Sequence, residues 1–86
     1  MYLIEYSDNA KKFLKKLDLH LSSRIIERIE KLILNPVPSD VKFIGREDGE
    51  KIFRYRIGDF RALYVLKEEK RIILITKIDK RSKVYD

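Results

Sequence analysis

The segment Lys51–Leu66 constrains this chain more than any other. It reads Lys-Ile-Phe-Arg-Tyr-Arg-Ile-Gly-Asp-Phe-Arg-Ala-Leu-Tyr-Val-Leu, with aromatic and β-branched residues on both sides of Gly58-Asp59. A Gly-X pair between two such arms predicts a two-residue type II′ hairpin, because glycine takes the positive φ of the first turn position at no steric cost. Centring the turn on Gly58-Asp59 sets Ile57 opposite Phe60, Arg56 opposite Arg61, Tyr55 opposite Ala62 and Arg54 opposite Leu63. Strand alternation then gathers Phe53, Tyr55, Ile57, Phe60, Ala62 and Tyr64 on one face and Arg54, Arg56 and Arg61 on the other. Two arginines directly opposite each other repel. A phosphate between them relieves that repulsion, since guanidinium groups bind phosphate bidentately. The same charges also suit a solvated outer face, and the hairpin alone does not choose between the two.

Eighty-six residues make one domain with a modest core. The chain has no cysteine and a single histidine, which excludes disulfides and thiolate chemistry and leaves no basis for a zinc site. No cofactor and no metal are expected. No apolar run reaches the roughly 20 residues of a membrane span, and no signal peptide opens the sequence, so a soluble, cytoplasmic protein without membrane contact is expected. Twenty Lys and Arg against fourteen Asp and Glu give a net charge of +6. Residues 1–40 are nearly balanced, with seven basic and six acidic side chains, whereas residues 41–86 hold thirteen and eight. A basic half on a small domain is the footprint of a polyanionic partner, either nucleic acid or a strongly acidic protein.

In chain order, Met1–Tyr6 alternates as a short first strand. Ser7 offers a helix N-cap with Asp8 in the first turn. Ala10, Phe13, Leu14 and Leu17 then recur at helical spacing, with Lys11, Lys12, Lys15 and Lys16 outside. Asp18 is placed to cap a second helix running to about Leu34, with Leu21, Ile25, Ile29, Leu32 and Ile33 as its apolar stripe. Asn35-Pro36 ends it. His20 has no polar companions in sequence and reads as structural or exposed. Val37 to Glu50 reads as a connector containing a short strand at Val41–Ile44. After the central hairpin, Lys67–Lys70 turns into a last strand, Arg71–Ile78, which is apolar on both faces and therefore interior to its sheet. The order β-α-α-(β)-β-β-β describes an α+β domain, with two N-terminal helices packed on one face of a small antiparallel sheet. The tail from Asp79 to Asp86, with Lys80, Arg81, Lys83 and Tyr85, suits phosphate contacts and base stacking; it equally suits a frayed terminus with Val84 and Tyr85 tucked against the sheet.

The segment Arg54-Tyr-Arg-Ile-Gly-Asp-Phe-Arg-Ala-Leu-Tyr64, followed one strand later by Lys80-Arg-Ser-Lys-Val-Tyr85, resembles the two signature stretches of the RelE/ParE toxin superfamily. The opening strand with Ser7, Ala10 and Leu17, and the helix closing on Asn35-Pro36, are similar to that family as well. The resemblance covers nearly the whole chain in order. It implies the toxin of a toxin–antitoxin pair: an endoribonuclease that cuts messenger RNA, typically in the ribosomal A site, and is held inactive by a RelB-like antitoxin. The implied reaction is attack of a 2′-hydroxyl on the adjacent phosphate. By the same resemblance Arg61 binds the scissile phosphate, Arg81 protonates or stabilises the leaving oxygen, and Tyr85 stacks on or orients the RNA. Arg54 and Arg56 stand where some catalytic members carry lysines, and Lys51, Lys80 and Lys83 complete the expected phosphate-binding set.

Two departures from the family pattern bear on mechanism. Arginine stays protonated, so Arg54 and Arg56 can stabilise charge but cannot accept a proton. The general base is left open among Lys51, Lys80, Glu50 and solvent. Asp79-Lys80 also stands where many relatives have Gly-His. The competing expectations are a ParE-like poison of DNA gyrase and a toxin homologue of weakened activity that binds an antitoxin.

Overall fold

The computed structural model describes residues 1–80. The elements are β1 (Leu3–Tyr6), α1 (Asp8–Lys16), α2 (Leu19–Glu30) with a 3₁₀ turn at Lys31–Ile33, β2 (Val41–Glu47), β3 (Glu50–Ile57), β4 (Phe60–Lys67) and β5 (Ile72–Lys80). The β3–β4 hairpin takes the register its sequence predicts, pairing Ile57 with Phe60, Arg56 with Arg61, Tyr55 with Ala62 and Arg54 with Leu63. Gly58 has φ +57 and Asp59 is not in the positive-φ region, as a II′ turn requires. Phe53, Tyr55, Ile57, Phe60, Ala62 and Tyr64 are all buried. They face α1 and α2, whose Ala10, Ile25 and Ile29 complete the core together with Leu32 of the 3₁₀ turn. Phe13 of α1 meets the Phe60 ring edge-on at 6.0 Å and seats the helix near the hairpin tip.

The five strands lie in the order β1-β5-β4-β3-β2. Strands β2 to β5 form the antiparallel meander, and β5 is interior, as its two apolar faces predict. The first strand differs from the expectation of an antiparallel sheet: β1 runs parallel to β5, which makes the sheet mixed. The meander occupies only one edge of β5, and β1 closes the other.

Strand β2 is longer than the predicted Val41–Ile44. It runs to Glu47 and joins β3 through Asp48-Gly49, both at positive φ (+52 and +82), which is the I′ geometry that an Asp-Gly pair favours. A bulge at Ile44 breaks its alternation. A second bulge lies in β5, where Leu63 pairs with Lys77 but Tyr64 pairs with Ile75, leaving Thr76 as the extra residue. It shifts the phase of the strand, so Ile78 joins Ile73 and Ile75 in the core instead of sharing the outer face with Ile72 and Leu74.

Ser7 ties this bulge to the first helix. Its Oγ accepts from the Ala10 N–H (3.1 Å) and donates to the Thr76 carbonyl (2.9 Å), while its N–H donates to the Ile75 carbonyl (2.9 Å). Asp18 occupies the cap position of α2, but its side chain makes no capping bond. The fully buried Tyr64 donates its hydroxyl to the Pro36 carbonyl at 2.7 Å, which fixes the chain after the 3₁₀ turn onto the central strand. Arg28 extends the same attachment by lying over the Tyr55 ring and pairing with Asp40 at 3.7 Å.

Three outcomes follow from these contacts. Ser7→Ala loses the cap and orphans the Thr76 carbonyl, so it should lower stability by about 1–2 kcal/mol, a melting shift of roughly 5–15 °C, while Ser7→Thr should keep most of it. The Tyr6 hydroxyl is buried with no hydrogen-bond partner among the described residues; Tyr6→Phe should therefore stabilise the fold, by about 1 kcal/mol. Burial, with Glu30 second, pushes the Tyr6 phenol up to about 12, and burial pushes Tyr64 up further. A phenol with a raised folded-state pKa favours the folded state below its unfolded value near 10 and loses that contribution as pH rises. Denaturant titrations should show stability falling between pH 10 and 12, less steeply for Tyr6→Phe.

Candidate nucleic-acid interface

The sheet face turned away from the helices is organised in cross-strand rows. Nearest the Gly58 turn, Arg56, Arg61 and Asp79 stand side by side on β3, β4 and β5. The next row, across β2 to β5, is Lys42, Arg54, Leu63 and Lys77. Behind it come Ile52, Val65 and Leu74, and then Glu47, Glu50 and Lys67. The face is thus polarised along its strands: the turn end carries five cations and one carboxylate, and the far end carries acids. Arg61 is only 8% exposed, because β4 is the middle strand, whereas Arg56 is exposed. Lys77 pairs with Asp79 at 3.3 Å. On the β2 side, Ser39, Asp40, Lys42, Arg54 and Arg56 line a shallow depression of about 350 Å³.

Of the residues singled out from the sequence, Arg54, Arg56 and Arg61 meet on this face. Lys51 does not join them. It lies on the helix-side face beside Phe53 and pairs with Glu68 at 3.9 Å, five residues along the strands from the Arg61 row, or about 17 Å. Glu50 shares the outer face but pairs with Lys67 at 3.9 Å, about 20 Å from that row. Neither can reach a phosphate held at Arg61. Lys80 stands opposite Phe60 at the hairpin tip, exposed on the helix-side face, one residue beyond the charged row. Arg81, Lys83 and Tyr85 lie outside the described residues. His20 is exposed on α2, beside Leu19, Ser23, Arg24 and Glu27 and away from the sheet's outer face. Among the described residues no group of three or more His, Cys, Asp or Glu side chains could hold a metal ion.

The structure adds Lys42, Lys77 and Asp79 to the charged face. Lys42 reaches the outer face through the Ile44 bulge: the Asp48-Gly49 turn alone would set it opposite Tyr55 on the helix-side face, and the extra residue moves it opposite Arg54. Lys77 and Asp79 reach the outer face only through the Thr76 bulge. In chemical terms the arrangement is a cluster of three guanidinium and two ammonium groups spread over β2 to β5, with one carboxylate, Asp79, at its flank.

The family described as the ParE toxin of type II toxin–antitoxin systems matches residues 4–85. A protein of Methanocaldococcus jannaschii assigned as toxin RelE1 is 37% identical over 83 residues, covering 95% of this chain and 92% of the relative. An Escherichia coli RelE-like toxin protein is 30% identical over 87 residues, covering 99% and 90%. Among solved structures, the archaeal RelE–RelB complex from Pyrococcus horikoshii is similar with a TM-score of 0.84 at 26% identity, covering 96% of this chain and 98% of the other. The RelBE2 toxin–antitoxin complex from Mycobacterium tuberculosis follows the same fold with a TM-score of 0.77 at 25% identity, covering 93% and 98%. With the two-helix, five-strand architecture and a family match along almost its whole length, the chain belongs to the RelE/ParE superfamily and is a toxin of a type II toxin–antitoxin system.

Proposed function

We propose that this toxin is an endoribonuclease that cleaves messenger RNA in the ribosomal A site and is held inactive by a RelB-like antitoxin. The observation that carries the reading is the Arg56–Arg61 pair on the sheet's outer face, with Arg54, Lys42 and Lys77 in the adjoining row. Two opposed guanidinium groups on neighbouring strands are unfavourable by themselves and become favourable around a phosphate. Arg61, held by its place on the middle strand, takes the scissile phosphate. Arg54 and Arg56 stabilise the charge that grows on its oxygens as the 2′-oxygen bonds to phosphorus and the 5′-oxygen departs. Arg81 assists the leaving oxygen and Tyr85 stacks on a base. The depression between Asp40 and Arg56 accommodates the neighbouring nucleotide. The antitoxin complexes of the similar RelE structures support an antitoxin as the protein partner. A second reading, poisoning of DNA gyrase, is favoured by the ParE description of the matching family.

Inducible expression followed by primer extension separates the two. Cuts within translated codons are expected; DNA breaks with intact messages would establish the gyrase reading instead. Arg61→Ala should abolish toxicity while the protein remains folded, and full toxicity of a normally expressed Arg61→Ala variant would remove Arg61 from the mechanism. Binding to single-stranded RNA should weaken with salt with a log–log slope of roughly −3, as about four engaged cations require. A slope near zero would mean that this face meets no nucleic acid.

A further inference from the structure

Resting on the endoribonuclease reading, we propose that Asp79 is the general base that deprotonates the attacking 2′-hydroxyl. Arginine cannot take that proton, and the acceptors open from the sequence are displaced: Lys51 lies on the wrong face, Glu50 about 20 Å along the strands. Lys80 faces the helix side with Phe60. Asp79 alone among the described carboxylates shares the row with Arg56 and Arg61, directly across from Arg61 on β5. A phosphate held by Arg61 places its flanking ribose over one of the adjoining strands, and on β5 that position belongs to the Asp79 carboxylate. Lys77 fixes this carboxylate from its own strand at 3.3 Å.

A carboxylate here also carries a cost that calls for a role. It repels the phosphate that the surrounding cations attract, so an unreactive residue at position 79 would serve binding better. Among the described residues, the charged groups facing Asp79 are Arg61 on β4, Lys77 on β5 and, one strand further, Arg56 on β3; β1 pairs only with residues 72–75 of β5 and brings none. All three are cations, and Asp79 is the one carboxylate among them. In the step, the 2′-hydroxyl proton passes to Asp79 as the P–O2′ bond forms and the P–O5′ bond breaks. The departing 5′-oxygen takes a proton from water, and Asp79 returns its own to solvent.

The test is single-turnover cleavage of a message by wild type, Asp79→Asn and Asp79→Glu on programmed ribosomes across the pH range, with RNA affinity and melting temperature measured alongside. Asp79→Asn should cleave 10²- to 10⁴-fold more slowly. It should lose the acidic limb of the pH–rate profile and bind RNA at least as tightly as wild type, while Asp79→Glu should recover part of the rate and the limb. If Asp79 only balances the charge of Arg61, Asp79→Asn will lose rate in proportion to its melting temperature and keep the limb, which overturns the proposal. Cleavage by Asp79→Asn within tenfold of wild type overturns it as well. A wild-type protein that cuts no message under these conditions overturns the endoribonuclease reading itself, and this proposal with it.

Discussion

One extra residue in β5 determines what the outer face of the sheet can do. Had the strand kept strict alternation past Ile75, Lys77 would stand opposite Ala62 in the core and Ile78 would lie beside Arg61. Burying an unpaired ammonium costs several kcal/mol, so the phase shift at Thr76 is enforced by the sequence that follows it. The shift leaves a bulge carbonyl outside the regular ladder, and Ser7 satisfies it with the same hydroxyl that caps α1. Helix initiation and the placement of Lys77 and Asp79 therefore share one side chain.

The parts of the fold legible in the sequence are those in which one local signal decides a long-range pairing. Gly58-Asp59 sets a register, and every pairing between Lys51 and Leu66 follows from it, including the opposition of Arg56 and Arg61. The β5 bulge gave no such signal. Ile72 to Ile75 are apolar without a break, so alternation carries no phase there, and only Lys77 and Asp79 show that a shift is needed. Strand β2 was half visible: its Asp48-Gly49 turn is a strong hairpin signal, but Gly45 and the bulged Ile44 interrupt the alternation leading into it. The parallel pairing of β1 was not legible, because a strand's pattern specifies its faces and not its neighbour or direction. Lys51 was misplaced for a simpler reason. Proximity in sequence to Arg54 and Arg56 says nothing about the face, which an odd offset inverts.

The charged end of the sheet is a local conflict within a consistent fold. In the core beneath β3 and β4 propensity, burial and pairing agree: aromatic residues line the core, Tyr64 finds Pro36, and Arg28 finds Asp40. At the Gly58 end, cations are gathered on adjacent strands and one of them, Arg61, is nearly buried. Such a cluster opposes folding through repulsion and desolvation, and conflicts of this kind concentrate where function overrides stability. Asp79, on the neighbouring strand β5, offsets part of the repulsion. The remaining positive charge is directed outward from a rigid sheet, which is the arrangement that stabilises an anion without reorganisation when it arrives.

That rigidity also separates two tasks that flexible sites combine. Guanidinium groups on a sheet can orient a phosphate and absorb its growing charge, but they are fixed in protonation state across the whole biological pH range. Any proton movement must then come from a group of different chemistry at the border of the cluster. A carboxylate in the middle of the row would cancel the field that binds substrate. On the adjacent strand it borders the cluster of Arg54, Arg56 and Arg61 without standing among them. Asp79 occupies such a border position, and it does so because a hydroxyl at Ser7, at the start of the first helix, supports the bulge that turns it outward.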